Sequence, residues 1–139
     1  MEAWALDTAR AVTAPQEVQV VTRRGDGTLR RPRTIWVVGD GGRVFVRSEK
    51  GREADWFRWA LATGTGQLIS GDATHDVRLT EVTVADVPRV DAAYRAKYGQ
   101  HAAVVDRLQA PRAQAATLEL HPQTGPAPGS PHRSGERRG

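Results

Sequence analysis

Residues 35–61 read IWVVGDGGRVFVRSEKGREADWFRWAL, and three elements can be taken from them in order. Ile35, Trp36, Val37 and Val38 form an unbroken apolar run, which predicts a strand covered on both faces. Gly39-Asp40-Gly41-Gly42 supplies the residues of a tight hairpin turn. Arg43 to Ser48 (RVFVRS), on the far side of that turn, predicts the returning strand. The period then changes. Trp56, Phe57, Trp59, Ala60 and Leu61 recur at helical spacing, with Asp55 as the expected N-cap, Glu53 close to the positive helix end, and Thr63-Gly64 as the stop.

Outward from this core the same signals continue. On the N-terminal side, residues 2–13 suit a short helix with Trp4, Ala5, Thr8, Ala11 and Val12 on one face, stopped by Pro15. Glu17 to Arg24 is a Val/Thr-rich strand, and Gly25-Asp26-Gly27 turns it into the strand that starts at Pro32. On the C-terminal side, Gln67–Ser70 and Asp76–Val84 read as strands about a Gly71-Asp72 turn. Val82 and Val84 fall out of step with Val77 and Leu79, so a bulge near Glu81 is expected. Pro88 marks a boundary before a helix at Val90–Tyr98. A further helix over Ala102–Leu108 follows, and a short strand at Ala116–Leu120 is placed to close the sheet. Strand runs with helices inserted between them predict an α+β, mainly β fold: an antiparallel barrel with peripheral helices.

Composition sets the bounds. The chain has 139 residues and no cysteine, so disulfides, thiolate metal sites and thiol catalysis are excluded. Residues 121–139 lack Val, Ile, Leu, Met, Phe, Trp and Tyr. Such a stretch does not bury enough apolar surface to offset its ordering entropy. The expected organisation is therefore one domain over residues 1–120 and a disordered Pro/Gly/Arg-rich tail over 121–139. The start, with an acid at position 2 and no long apolar run, is not that of a signal peptide, and no window approaches the roughly 18 apolar residues of a membrane span. A cytoplasmic location is the expectation.

The formal charge is +4 and the isoelectric point about 10.3. One arginine concentration lies in the tail, and another comprises Arg23, Arg24, Arg30, Arg31 and Arg33. A solvated basic surface, a site for a phosphorylated small molecule, and nucleic-acid binding all fit this charge. The sequence contains no phosphate-binding P-loop, no dinucleotide fingerprint, no nucleophile elbow and no histidines at metal-ligand spacing.

The chemically richest segment is Arg47 to Trp56. A strand ends in Arg47-Ser48, a loop carries Glu49-Lys50-Gly51-Arg52, and an aromatic-led helix follows. Cations, a hydroxyl, a glycine that lets backbone amides approach, and a positive helix end make a competent anion site. The flanking rings suit a planar ligand. The same residues would also serve as an ordinary strand–loop–helix link with core tryptophans.

The order and spacing of IWVV, VRS (Val46–Ser48), Trp56-Phe57, the basic stretch Arg31–Thr34, Trp4 and DAAYRAKYG (Asp91–Gly99) resemble a short family of bacterial proteins, domain of unknown function 2255. That family lies among the pyridoxamine-phosphate-oxidase-like split barrels and is similar to the deazaflavin-dependent nitroreductase type. The resemblance implies a split β-barrel, a homodimer, and a groove holding FMN or a deazaflavin coenzyme. The implied cofactor-binding residues are Arg33, Arg47, Ser48, Lys50, Gly51 and Arg52 around the phosphate, with Trp36 and Trp56 lining the ring pocket. It implies an oxidoreductase acting on a small organic substrate. Two other readings stay open: a non-catalytic split-barrel binding module, and a basic nucleic-acid-binding protein. The last is the least favoured, because the tryptophans sit in apolar contexts suited to a core rather than to stacking platforms.

Overall fold

Period-two alternation places one side of each strand inward, and a small closed barrel fills with those side chains. The computed structural model describes residues 3–123. Its strands are β1 (Glu17–Thr22), β2 (Arg33–Asp40), β3 (Arg43–Arg47), β4 (Thr65–Ser70), β5 (Ala73–Glu81) and β6 (Thr117–Pro122). They close into a barrel in the order β1-β2-β3-β6-β5-β4, and every neighbouring pair is antiparallel. Around it lie α1 (Leu6–Thr13), α2 (Asp55–Thr63), α3 (Val87–Tyr98), α4 (Ala102–Leu108) and the short α5 (Pro111–Gln114). The expected α+β antiparallel barrel is the observed one, and the last strand closes it by pairing with both β3 and β5.

Two apolar cores explain the unbroken run in β2. Val37, Val44, Val46, Leu118 and Leu120 pack inside the barrel with Phe57 and Ala60 of α2 and Val12 of α1. Val38 and Phe45 point the other way, into a second cluster with Val90, Tyr94 and Tyr98 of α3 and Val105 and Leu108 of α4. Residues 90, 94 and 98 repeat every four positions, so they form one stripe of α3. Tyr94 and Tyr98 also bond back to the barrel side. The Tyr94 hydroxyl donates to the Trp36 carbonyl at 2.8 Å, and the Tyr98 hydroxyl to that of Gln16 at 2.6 Å. Burial pushes both phenols above their ordinary range. Beside them, Lys97 Nζ donates to the carbonyls of Thr13, Pro15 and Val37 at 2.5, 2.6 and 2.8 Å. This ammonium caps the end of α1, and burial pushes it down to about 8.

One charged side chain is fully buried in this assembly. Arg47, at the end of β3, is 1% exposed. Its Nε donates to Thr117 Oγ1 of β6 (2.8 Å), Nη1 to Asp91 Oδ1 of α3 (2.5 Å) and to the Leu108 carbonyl of α4 (3.0 Å), and Nη2 to the Val87 carbonyl (3.2 Å). A single guanidinium thus ties three elements to the barrel wall.

Four local features depart from expectation. The helix over 55–63 is capped at Ala54, and Asp55 is its first residue; the Asp55 carboxylate accepts from Arg58 rather than from a backbone amide. Helix α1 begins at Leu6 and buries Ala9 and Val12, while Trp4 precedes it and donates from its indole to the Leu120 carbonyl. No bulge is needed in β5: the strand ends at Glu81, and Val84, 86% exposed, stands in a 3-10 turn. Its β-branched side chain mimics a strand residue, but the chain has already left the sheet. Finally, β6 runs through His121 and Pro122, which pair with Arg78 and Val77. Backbone pairing needs no apolar side chain, and a proline without an N–H is tolerated at a strand end. The expected tail from residue 124 onward lies outside the described residues.

Two substitutions test this architecture. A Cβ on Gly66 would stand 2.2 Å from the Val21 carbonyl oxygen of the paired strand. Gly66→Ala therefore has to push β4 away from β1, and urea unfolding should show a loss of about 3 kcal/mol or a failure to fold. Arg47→Ala strands Asp91 and two carbonyls, and should cost about 3–5 kcal/mol in the same measurement. Lys50→Ala, at an exposed position, should stay within about 0.5 kcal/mol.

Candidate functional site

At the end where β2 begins and β3 ends, the outer face of the barrel opens into a groove of about 560 Å3. Its floor is Thr34, Ile35 and Trp36 of β2, with Glu17 beside them because Glu17 pairs with Trp36 across the β1–β2 ladder. One wall is Val104 and Leu108 of α4, and the other is the link from Ser48 to Trp56. Trp36 is half-buried. One face of its indole stacks on Tyr98, with ring centres 4.2 Å apart and planes 21° apart, and His101 meets it edge-on at 5.3 Å. Trp56 is 9% exposed and packs edge-on against Phe57 at 5.9 Å.

The link is shaped by its own hydrogen bonds. The Gly51 amide donates to the Ser48 carbonyl at 3.0 Å, and the Ser48 hydroxyl donates to the Gly51 carbonyl at 2.7 Å. Gly51 takes φ +83°, and a Cβ there would stand 3.2 Å from the Arg112 carbonyl oxygen of α5. Glycine is required on both counts. The turn delivers the chain to α2, whose first residues, Asp55 and Trp56, line the groove without a side-chain cap. The uncapped helix start gives that wall a positive end.

Of the eight residues expected at the site, Arg33, Trp36, Arg47, Ser48, Lys50 and Trp56 line the groove. Gly51 lies behind it, against α5. Arg52 turns away: its Nη1 donates to Glu81 at 2.5 Å and to the Ala115 carbonyl at 2.8 Å. The Glu81 carboxylate raises its affinity for the proton further. Arg47 contributes to the lining, but its guanidinium is committed to Thr117, Asp91 and two carbonyls. The Ser48 proton is committed to Gly51. Two cations remain uncommitted. Among the described residues, neither Arg33 nor Lys50 forms an ion pair, and both are exposed.

Sequence reasoning missed the acidic part of the rim. Glu17, Glu49, Glu53 and Asp55 all line the groove. Glu49 is neutralised by Arg107 at 2.9 Å and Asp55 by Arg58 at 2.5 Å. Glu17 and Glu53 form no ion pair with a described residue. The Glu17–Trp36 pairing is one residue out of step with the Arg23–Leu29 bridge beside the turn, so the Gly25–Gly27 turn alone would not have given it, and the α4 wall has no local signal. The exposed Arg33 and Lys50 and the uncapped start of α2 have the chemistry to meet a phosphate, and the Trp36 indole that to meet a planar ring. Among the described residues, no cluster of His, Asp and Glu could hold a metal ion, and no helix is long and apolar enough to cross a membrane.

Comparison with known proteins agrees with the barrel. A heme storage protein from Vibrio cholerae, HutZ, superposes with a TM-score of 0.65 at 15% identity, over 90% of this chain and 93% of its own. An F420-H2 dependent reductase superposes with a TM-score of 0.56 at 17% identity, over 76% of this chain and 92% of its own. A FAD-binding protein from Mesorhizobium loti gives 0.53 at 14% identity, over 84% and 86%. At such identities the likeness shows a shared split-barrel fold. No curated protein sequence matches the chain. The profile of the family described as uncharacterized proteins conserved in bacteria (DUF2255) matches residues 8–120, nearly the whole described barrel, and the chain belongs to that family.

Proposed function

We propose that the groove binds a phosphorylated planar cofactor of the flavin class, FMN or a deazaflavin coenzyme, and that the protein is an oxidoreductase for a small organic substrate. The observation that carries this reading is the half-buried Trp36, backed on one face by Tyr98, in a groove with two cations that no carboxylate neutralises. The volume, about 560 Å3, lies within the roughly 300–1,000 Å3 typical of small-molecule sites. The structural neighbours named for heme, F420-H2 and FAD support a redox ligand on this fold.

In this reading Arg33 and Lys50 hold the phosphate from opposite lips, with the start of α2 between them. Trp36 and Trp56 flank the ring. Ser48 and Gly51 set the turn that carries Lys50, and Arg47 positions that turn from beneath. Arg52 serves the same framework through Glu81 and the Ala115 carbonyl. A flavin-type group supplies hydride or electron transfer when bound; the chain's task is to bind, orient and shield it. The groove is open on its outer side, and a second copy of the chain would cover it, so the proposal includes a homodimer. No side chain on the rim is assigned an acid–base role.

A second reading has its own support. Arg47, Ser48 and Arg52 have spent their donors inside the protein, which favours a groove kept for binding without catalysis. Thermal and urea unfolding with FMN or a deazaflavin coenzyme separates the two. Saturation at 100-fold the dissociation constant should add about 2.7 kcal/mol, and the ligand should co-purify as visible absorbance. An Arg33→Ala, Lys50→Ala double variant should fold normally and lose that stabilisation, and the native protein should sediment as a dimer. A folded dimer that gains nothing from either cofactor would leave only the non-catalytic reading.

A further inference from the structure

Beside the groove the β1–β2 connection carries a second, unassigned basic surface. Residues 23–33 hold five arginines and one carboxylate, Asp26. The net charge of this hairpin equals the formal charge of the entire chain, +4. Asp26 is turned inward on its own loop, accepting from the Thr28 amide at 3.0 Å and the Thr28 hydroxyl at 2.7 Å. None of the five arginines forms an ion pair with a described residue. The hairpin is nonetheless ordered by them: Arg23 Nη1 donates to the Gly27 carbonyl and Arg24 Nη1 to that of Leu29, both at 2.9 Å.

Trp59 sits at the centre of this surface. The sequence suggests a core residue, but the indole is only partly buried at the margin of the core. The Arg30 guanidinium lies over it at 3.9 Å from the ring centre and that of Arg33 at 5.2 Å. Both cations are therefore held no more than about 10 Å apart with no anion between them. Like charges converging on one ring repel, and the indole recovers only part of that cost. A chain of phosphates would neutralise both and leave guanidinium planes free to stack on bases.

We propose that the arginine hairpin and Trp59 form a binding surface for single-stranded nucleic acid that adjoins the groove at Arg33 and does not depend on whether the groove holds a cofactor. The charge density, the absence of internal counter-ions and the π-supported guanidiniums match a phosphodiester strand.

The test is fluorescence anisotropy of a labelled 12-nucleotide single strand with the full chain, at several salt concentrations. Binding should weaken steeply with salt. An Arg24→Gln, Arg30→Gln, Arg31→Gln variant should bind at least tenfold more weakly at low salt, and its log–log salt slope should fall by about 2, from roughly 0.7 per phosphate contact on a single strand. The matching triple Arg→Lys variant should stay within about threefold of the parent, because it keeps the charge. Arg33 and Lys50 are untouched in both, and the urea-unfolding midpoint and far-UV circular dichroism of each variant serve as the control for the fold. No salt-sensitive binding by the full chain would overturn the proposal. So would a glutamine variant that binds as tightly as the parent, since the arginines of the C-terminal segment would then carry the contact.

Discussion

The groove and its surroundings depend on one buried guanidinium. Arg47 leaves water entirely and is compensated at four acceptors drawn from three separate elements. A charge without such partners would cost several kcal/mol to bury, so the position of each acceptor is set by the need to satisfy it. Thr117 fixes the start of β6 against the end of β3. Val87 and Asp91 hold the first turns of α3, and Leu108 holds the end of α4. Asp91 is itself oriented, since the Gln114 amide donates to its other oxygen at 3.0 Å. The next residue after Arg47 is Ser48, where the turn into the groove begins. The wall made by α4 and the turn that carries Lys50 are thus referenced to the same atom group.

The sheet and its turns were legible because they are written locally. The apolar run at Ile35–Val38, the hairpin glycines and the Thr63-Gly64 stop all act within a few residues, and the structure follows them. What failed was whatever depends on distant partners. Arg47 looks like an edge cation in RVFVRS, because alternation reports which face a residue takes but not what covers that face. Its acceptors lie 40 to 70 residues away in sequence. Arg52 reads as a loop cation for the same reason, while Glu81, its partner, was assigned to a bulge. The segment PRAQ of α5 is too short to show a period, yet it supplies the backbone that forces glycine at position 51.

The site was legible to the same degree and for the same reason. Trp36, Ser48, Lys50 and Trp56 adjoin the hairpin and turn that the local signals defined, and they come together. The acidic rim was not visible, because Glu17 arrives through strand register and Glu53 through the geometry of a short turn. Those carboxylates matter to selectivity. A uniformly basic groove would accept any anion, whereas Glu17 and Glu53 make a second charge on the ligand costly wherever it approaches them. A ligand that presents its anionic group to Arg33 and Lys50, clear of Glu17 and Glu53, would avoid that cost.

Two groups of arginines stand out among the described residues, those held by a carboxylate and those of the β1–β2 hairpin. Arg43 is held between Asp86 and Glu119 at 2.9 and 2.7 Å, Arg52 by Glu81, Arg58 by Asp55 and Arg107 by Glu49. Except for the Arg58–Asp55 pair, which lies within one turn of α2, each of these fastens two places in the fold. The Asp86 carboxyl is held below its usual range by Arg43, so that pair persists at any pH near neutrality and is lost only as acid protonates the carboxyl. The hairpin arginines answer to backbone carbonyls of their own loop or to the Trp59 ring. Such contacts orient a guanidinium without discharging it. Arg33 is the extreme case: it reaches the groove on one side and the indole on the other, with its charge unspent. The carboxylate-held arginines thus serve the framework, whereas Arg33 keeps its charge at the junction of the groove and the hairpin.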